Sequence, residues 1–224
     1  MTLKLTKNEK RWGWFFLLAQ MLVVPFAAAL ICLWMDVYSD TVVNNLCFFL
    51  NAALAVLIFR HLLEQSFRRC RGRWKQTVLT VLKGLGLYFL LNYAVNSLVF
   101  RIYPNFSNVN DATVGAMLTE SPWLMTIAVV FAAPLAEECL CRGWMFTGLA
   151  EKSIPLAYCV TCGFFAAVHV LSYIGFYSPM TLALCFVQYL GPGIALCWAC
   201  QRDDSLCAPL LMHMSINALA CLMM

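Results

Sequence analysis

Long apolar runs, each interrupted by a short polar stretch, set the pattern of this chain from about residue 13 to its end. Seven runs can be drawn, at approximately 13–35, 41–63, 78–100, 122–149, 154–173, 179–200 and 205–224. Most reach the ~20 residues that a helix needs to cross ~30 Å of hydrocarbon. The pattern predicts an all-α, polytopic membrane helix bundle of seven transmembrane helices. An eighth, short helix is the alternative, because the "GPG" at 191–193 can break the sixth span. The first run is longer than the 7–15-residue core of a secretory signal and reads as an uncleaved anchor. The segment 101–121 is the longest polar stretch and contains the sequon Asn105-Phe106-Ser107. It is expected either to cover a site or to connect two helices.

Composition agrees with lipid as the solvent. Of 224 residues, 62% are hydrophobic and only 12% charged, against about 25% charged in a soluble domain. The mean hydropathy is +0.77. The net charge of +4 does not point to nucleic acid, since the basic residues sit beside apolar runs as topology determinants do. Lys4, Lys7, Lys10, Arg11, Arg60, Arg68, Arg69, Arg71, Arg73 and Lys75 fall on one side, Arg101 on the other. This asymmetry predicts a cytoplasmic amino terminus, with Lys152 and Arg202 on the same side and the carboxyl terminus outside. Twelve cysteines would suggest a disulfide framework, but all except Cys70 lie in or beside apolar segments, where cysteine behaves as a small hydrophobe. The pairs Cys159/Cys162 and Cys197/Cys200 fall within spans and read as packing residues rather than a zinc site.

Against this background the polar residues inside spans stand out. An ionised side chain near the bilayer centre costs about 2.5–3.5 kcal/mol on insertion scales, yet "PLAEECLCRG" carries Glu137, Glu138 and Arg142. Glu138 and Arg142 are four apart with the acid amino-terminal, the favourable order for a helical pair. Glu137 is turned about 100° away and is left without a local partner. His169 follows Phe165 by four residues, and Asn217 follows His213 by four. Asn44, Asn45, Asn51, Asn92, Asn96 and Gln188 are read as hydrogen-bonding glue between helices. At 1.5 Å per residue, Glu137, His169, His213 and Asn217 come out roughly 20, 22, 12 and 18 Å from the basic face, so they can share one layer. Pro134, one turn before the acids, removes a backbone hydrogen bond and can open space beside them.

Other intramembrane hydrolases leave signatures that are missing: no Gly-x-Ser, no HExxH, and no aspartate inside a span. The residues present resemble instead the CPBP family, the CAAX prenyl proteases and bacteriocin-processing enzymes also called Abi-type membrane proteins. EExxxR matches Glu137, Glu138 and Arg142; FxxxH matches Phe165 and His169; HxxxN matches His213 and Asn217. Cys141 departs from the family, where an aromatic residue commonly precedes the arginine. The resemblance divides the single domain, 1–224, into amino-terminal helices and loop, 1–121, and a catalytic core, 122–220.

Peptide hydrolysis needs an activated water, and an unpaired carboxylate in a dry site suits a general base. Glu137 takes that part, His169 holds or helps activate the water, and His213 and Asn217 donate to the developing oxyanion, as the resemblance also implies. Glu138 and Arg142 are the supporting pair. Glu137, His169 and His213 would also make a set for a divalent metal such as zinc, which the favoured mechanism does not require. The implied partner is a peptide or membrane-protein substrate in the lipid bilayer, prenylated or not, with a prokaryotic cell membrane as the expected location. The rival readings are a catalytically silent immunity or signalling-regulator protein and a proton-coupled transporter.

Overall fold

The apolar runs fold as helices throughout the computed structural model, which describes residues 2–223. In chain order the helices are α1 (Lys7–Trp34), α2 (Asp40–Ile58), α3 (Arg60–Gly72), α4 (Trp74–Ile102), α5 (Val109–Glu120), α6 (Pro122–Ala150), α7 (Ile154–Tyr173), α8 (Pro179–Asp203) and α9 (Cys207–Met223). Six of them, α1, α2, α4, α6, α7 and α8, are long and apolar enough to cross a membrane. The seventh predicted span, α9, has 17 residues and falls just short of the usual ~20. The chain is an integral, all-α membrane bundle.

Helix α6 forms the axis. Two-thirds of its apolar window, 67%, is buried inside the protein, against 11–39% for the other spans. The remaining spans therefore present much of their apolar surface outward, which in lipid is no penalty. Helix α8 packs between α4 and α7, and α9 lies against α4, α8 and the first half of α6.

Two expectations change. The GPG does not break α8, which runs through Pro192 without interruption. The glycines serve close packing instead. A Cβ on Gly193 would lie 3.3 Å from the Cys162 backbone in α7, and one on Gly191 would lie 3.5 Å from Leu91 in α4. With α8 continuous, the GPG creates no additional short helix, and the one sequence feature that favoured a transporter's broken helices is lost. The segment 101–121 is not merely a connection either. Asn108 caps α5 by accepting from the amides of Asn110 and Asp111, and Phe106 and Val109 are buried against Val99, Val170 and Cys185.

The basic face is closed by short polar contacts. Glu9 completes a capping box with Thr6 at the start of α1, and its second oxygen accepts from the Leu62 amide at 2.8 Å. One buried carboxylate thus caps two helices. Helix α3 sets Leu62, Leu63 and Ser66 inward and Arg60, Arg68 and Arg71 outward. The twelve cysteines are free thiols, mostly buried, as expected of packing residues. Gln188 bonds Asn96 across helices at 2.6 Å, whereas Asn44 and Asn45 bond carbonyls of their own helix.

Candidate active site

The acids owe their position to the way α6 is wound. Two of its stretches, Ala128–Ala132 and Cys139–Phe146, have π-helical hydrogen bonding, and Glu137 and Glu138 close the short α-helical piece between them. Such widened turns recur at functional sites because they redirect side chains within a helix. Pro134 sharpens the effect. The Ala133 amide bonds the Ala128 carbonyl, and Pro134, lacking an N–H, has nothing to give the next carbonyl, Val129. That carbonyl accepts instead from Asn217 Nδ2 of α9 at 2.9 Å. A proline on one helix and an asparagine on another form a single device that ties α9 to α6.

One turn earlier on α9, His213 reaches the acids. Its Nδ1 lies 2.8 Å from Glu138 Oε1. The same oxygen accepts from Arg142 Nη1 at 2.9 Å, as the i,i+4 spacing predicts. A carboxylate bound to a guanidinium accepts, so Nδ1 carries the hydrogen. Nε2 is then the nitrogen turned toward Glu137, with Oε2 3.8 Å away. Glu137 Oε2 is buried and has no hydrogen-bond partner among the described residues, while the whole side chain keeps 19% of its surface exposed. At 3.8 Å the two groups are too far apart for a direct hydrogen bond, and one water can bridge them.

Arg142 is fully buried. Besides Glu138 it donates from Nη2 to the Gly193 carbonyl at 3.3 Å and lies over the Phe165 ring, 4.4 Å from its centroid. A desolvated guanidinium is tolerable only with such a set of partners. With His213 protonated, two carboxylates face two cations and the group is neutral overall, which lessens the cost of placing it in a membrane.

His169 sits in the cap position where the α-helical part of α7 ends. Its Nδ1 donates to the Phe165 carbonyl at 2.7 Å; a carbonyl can only accept, so the hydrogen is on Nδ1 and Nε2 is the free lone pair. Phe165 packs on both imidazoles, with ring centroids 4.6 Å from His169 and 5.9 Å from His213. All three motif segments therefore converge. Glu137, Glu138, Arg142 and His213 touch or face one another, His169 joins through Phe165, and Asn217 is anchored one turn away on Val129.

The candidate zinc set of Glu137, His169 and His213 does not fit. Among the described residues no group of three or more His, Cys, Asp or Glu side chains is placed to hold a metal ion. Two surface hollows, of about 290 and 390 Å³, lie away from this cluster, one lined by Trp198, Gln201 and Arg202, the other beside Lys10 and Glu151.

Motif spacing gave no hint of Tyr189. It stacks on His169 with centroids 4.2 Å apart and planes 23° apart. No pattern in "CFVQYLGPG" distinguishes this tyrosine from the other aromatic residues of the spans.

Comparison with known proteins finds one family. The family described as "Type II CAAX prenyl endopeptidase Rce1-like" matches residues 119–219, the stretch that carries all three motifs. No curated protein and no solved structure matches the chain.

Proposed function

We propose, from the match of residues 119–219 to the Rce1-like family of type II CAAX prenyl endopeptidases, that this chain is a CPBP-type protease that hydrolyses a peptide bond at or within the membrane. The observation that carries the reading is the division of labour between adjacent acids. Glu138 is spent on Arg142 and His213 Nδ1, while Glu137 faces His213 Nε2 at 3.8 Å with a buried, unpartnered oxygen.

In this mechanism Glu137 removes a proton from a water that His169 Nε2 helps to hold, and the water oxygen bonds the scissile carbonyl carbon. The carbonyl oxygen becomes an oxyanion. His213 can donate to it only from Nε2, since its Nδ1 hydrogen is given to Glu138. That requires the imidazolium form, whose charge the flanking carboxylates offset. Asn217 uses one amide hydrogen on Val129 and retains the second for the oxyanion. Collapse of the intermediate breaks the C–N bond, and the proton held by Glu137 passes to the leaving amine. Positioned acid–base groups of this kind contribute about 10²–10⁴ in rate, and each oxyanion donor about 10²–10³.

The substrate class proposed is a carboxyl-terminal peptide, prenylated or not, presented from the bilayer. The arginine-rich face, including the amino terminus, is proposed to be cytoplasmic. Comparative peptidomics of cells carrying the wild type or Glu137→Ala tests the reading. A precursor that accumulates and a product that vanishes only with Glu137→Ala are expected; identical peptide inventories would favour the silent-partner alternative.

A further inference from the structure

Tyr189 and helix α5 lie outside the three motifs, yet the structure links both to the imidazole of His169. The Nδ1–H bond to the Phe165 carbonyl fixes the tautomer of that ring, but one hydrogen bond leaves the ring able to swing about its axis. Tyr189 removes that freedom. It covers a face of the ring at 4.2 Å, and the centroid distances among Phe165, His169 and Tyr189 (4.6, 4.2 and 6.4 Å) put the phenylalanine on an adjacent side rather than opposite.

Tyr189 is itself held from outside the membrane-crossing helices. Its phenol oxygen accepts from Asn110 Nδ2 at 2.9 Å and donates to Asp111 Oδ1 at 2.9 Å. Both partners stand in the first turn of α5, whose cap, Asn108, donates to Gln188 Oε1 at 2.8 Å. A tyrosine serving only as an interfacial anchor would turn its hydroxyl to water or headgroups; this one gives both its hydrogen-bonding functions to one neighbouring helix.

Resting on the proposed hydrolysis, we infer that Tyr189 is a positioning residue for the reaction: clamped by Asn110 and Asp111, it holds the His169 imidazole in the orientation that presents Nε2 to the water. Displacement of a reacting group by about 1 Å costs on the order of 10² in rate, so a single stacked ring is a sufficient lever.

The test pairs a chemical readout with a kinetic one on purified, membrane-reconstituted protein. Diethyl pyrocarbonate acylates unprotonated imidazole nitrogens, and mass spectrometry reads its rate at His169 against exposed His61. Tyr189→Ala is expected to change the His169 rate several-fold with His61 unaltered, and Tyr189→Phe, which keeps the ring but loses the bonds to Asn110 and Asp111, to fall between Tyr189→Ala and the wild type. With a farnesylated carboxyl-terminal peptide as probe, Tyr189→Ala lowers kcat by about tenfold or more with KM little changed, and Tyr189→Phe, with the ring kept and the clamp lost, recovers part of it. An unaltered His169 rate in Tyr189→Ala, or a KM loss with kcat intact, overturns the inference. If the wild type leaves the probe uncut, the prenylated-substrate reading fails, and the acylation rates still decide whether Tyr189 orients His169. Should Tyr189→Ala fail to fold, Tyr189→Leu removes the ring at larger volume and carries the same expectations.

Discussion

Adjacent carboxylates at 137 and 138 meet different fates because one residue along a helix is a turn of about 100°. Glu138 lands on Arg142 and His213; Glu137 faces only the far nitrogen of His213. The buried pair has a measurable consequence. Glu138→Gln or Arg142→Met alone leaves an uncompensated buried charge and should cost about 3–5 kcal/mol of stability. The double substitution should cost less than the sum of the two, as read by thermal unfolding in detergent. Asn217 gives a contrasting case, since its bond to Val129 and its proposed oxyanion role lie on one amide. Asn217→Ala should lower kcat by about 10²–10³, and also loosen α9, because the Val129 carbonyl loses the donor that stands in for the missing Pro134 N–H. Hydrogen exchange over α6 and α9 reads the second effect separately from the first.

At the scale of helices, close approach decides more than apolar length. Gly13 in α1 lies under Trp144 of α6, and a Cβ there would overlap the indole, whose nitrogen donates to the Lys10 carbonyl. Gly13→Ala should therefore destabilise by about 1–3 kcal/mol, whereas Gly86→Ala, which meets nothing within 4 Å, should not. Unfolding midpoints of the two variants check this. The spans themselves were legible because a run of ~20 apolar residues has few alternatives in water or lipid. Helix α5 was not legible, since its polar composition resembles a loop and only its fold-back onto Tyr189 and the Val99 cluster makes it a packed element. The GPG misled for a related reason. Glycine and proline read as breakers in isolation, but neighbouring helices in a bundle can satisfy the freed groups and use the narrow backbone. Of the site, the ionisable residues announced themselves by being costly in a membrane. The π-helical turns and the stacked Tyr189 did not, because hydrogen-bond register and ring stacking belong to the assembled bundle.

Across the whole molecule, the amino-terminal segment is clasped to the turn between α8 and α9 on the basic face. Asp204, in a left-handed turn between α8 and α9, accepts from the Thr2 and Leu3 amides and pairs with Arg69 at 2.7 Å. Burial alone would raise its pKa, but the Thr2 hydroxyl, the two amides and the guanidinium outweigh that and hold the carboxyl below its ordinary value. A lowered folded pKa stabilises above the unfolded value of about 3.9, and the contribution is lost as pH falls through the folded value. The amino terminus should accordingly stay resistant to proteolysis at neutral pH and become cleavable in strongly acidic buffer. Asp204→Asn should be cleavable across the range.

The account rests on Glu137 being the base of a peptide hydrolase, and one measurement addresses it most directly. Wild type and Glu137→Gln, purified to equal folded amounts in lipid nanodiscs, are given a farnesylated carboxyl-terminal peptide and the products are weighed by mass spectrometry. The wild type should cleave a single bond near the prenylated cysteine, and Glu137→Gln should be slower by about 10²–10⁴ with an unchanged melting temperature. Cleavage at the same rate by both proteins would contradict it.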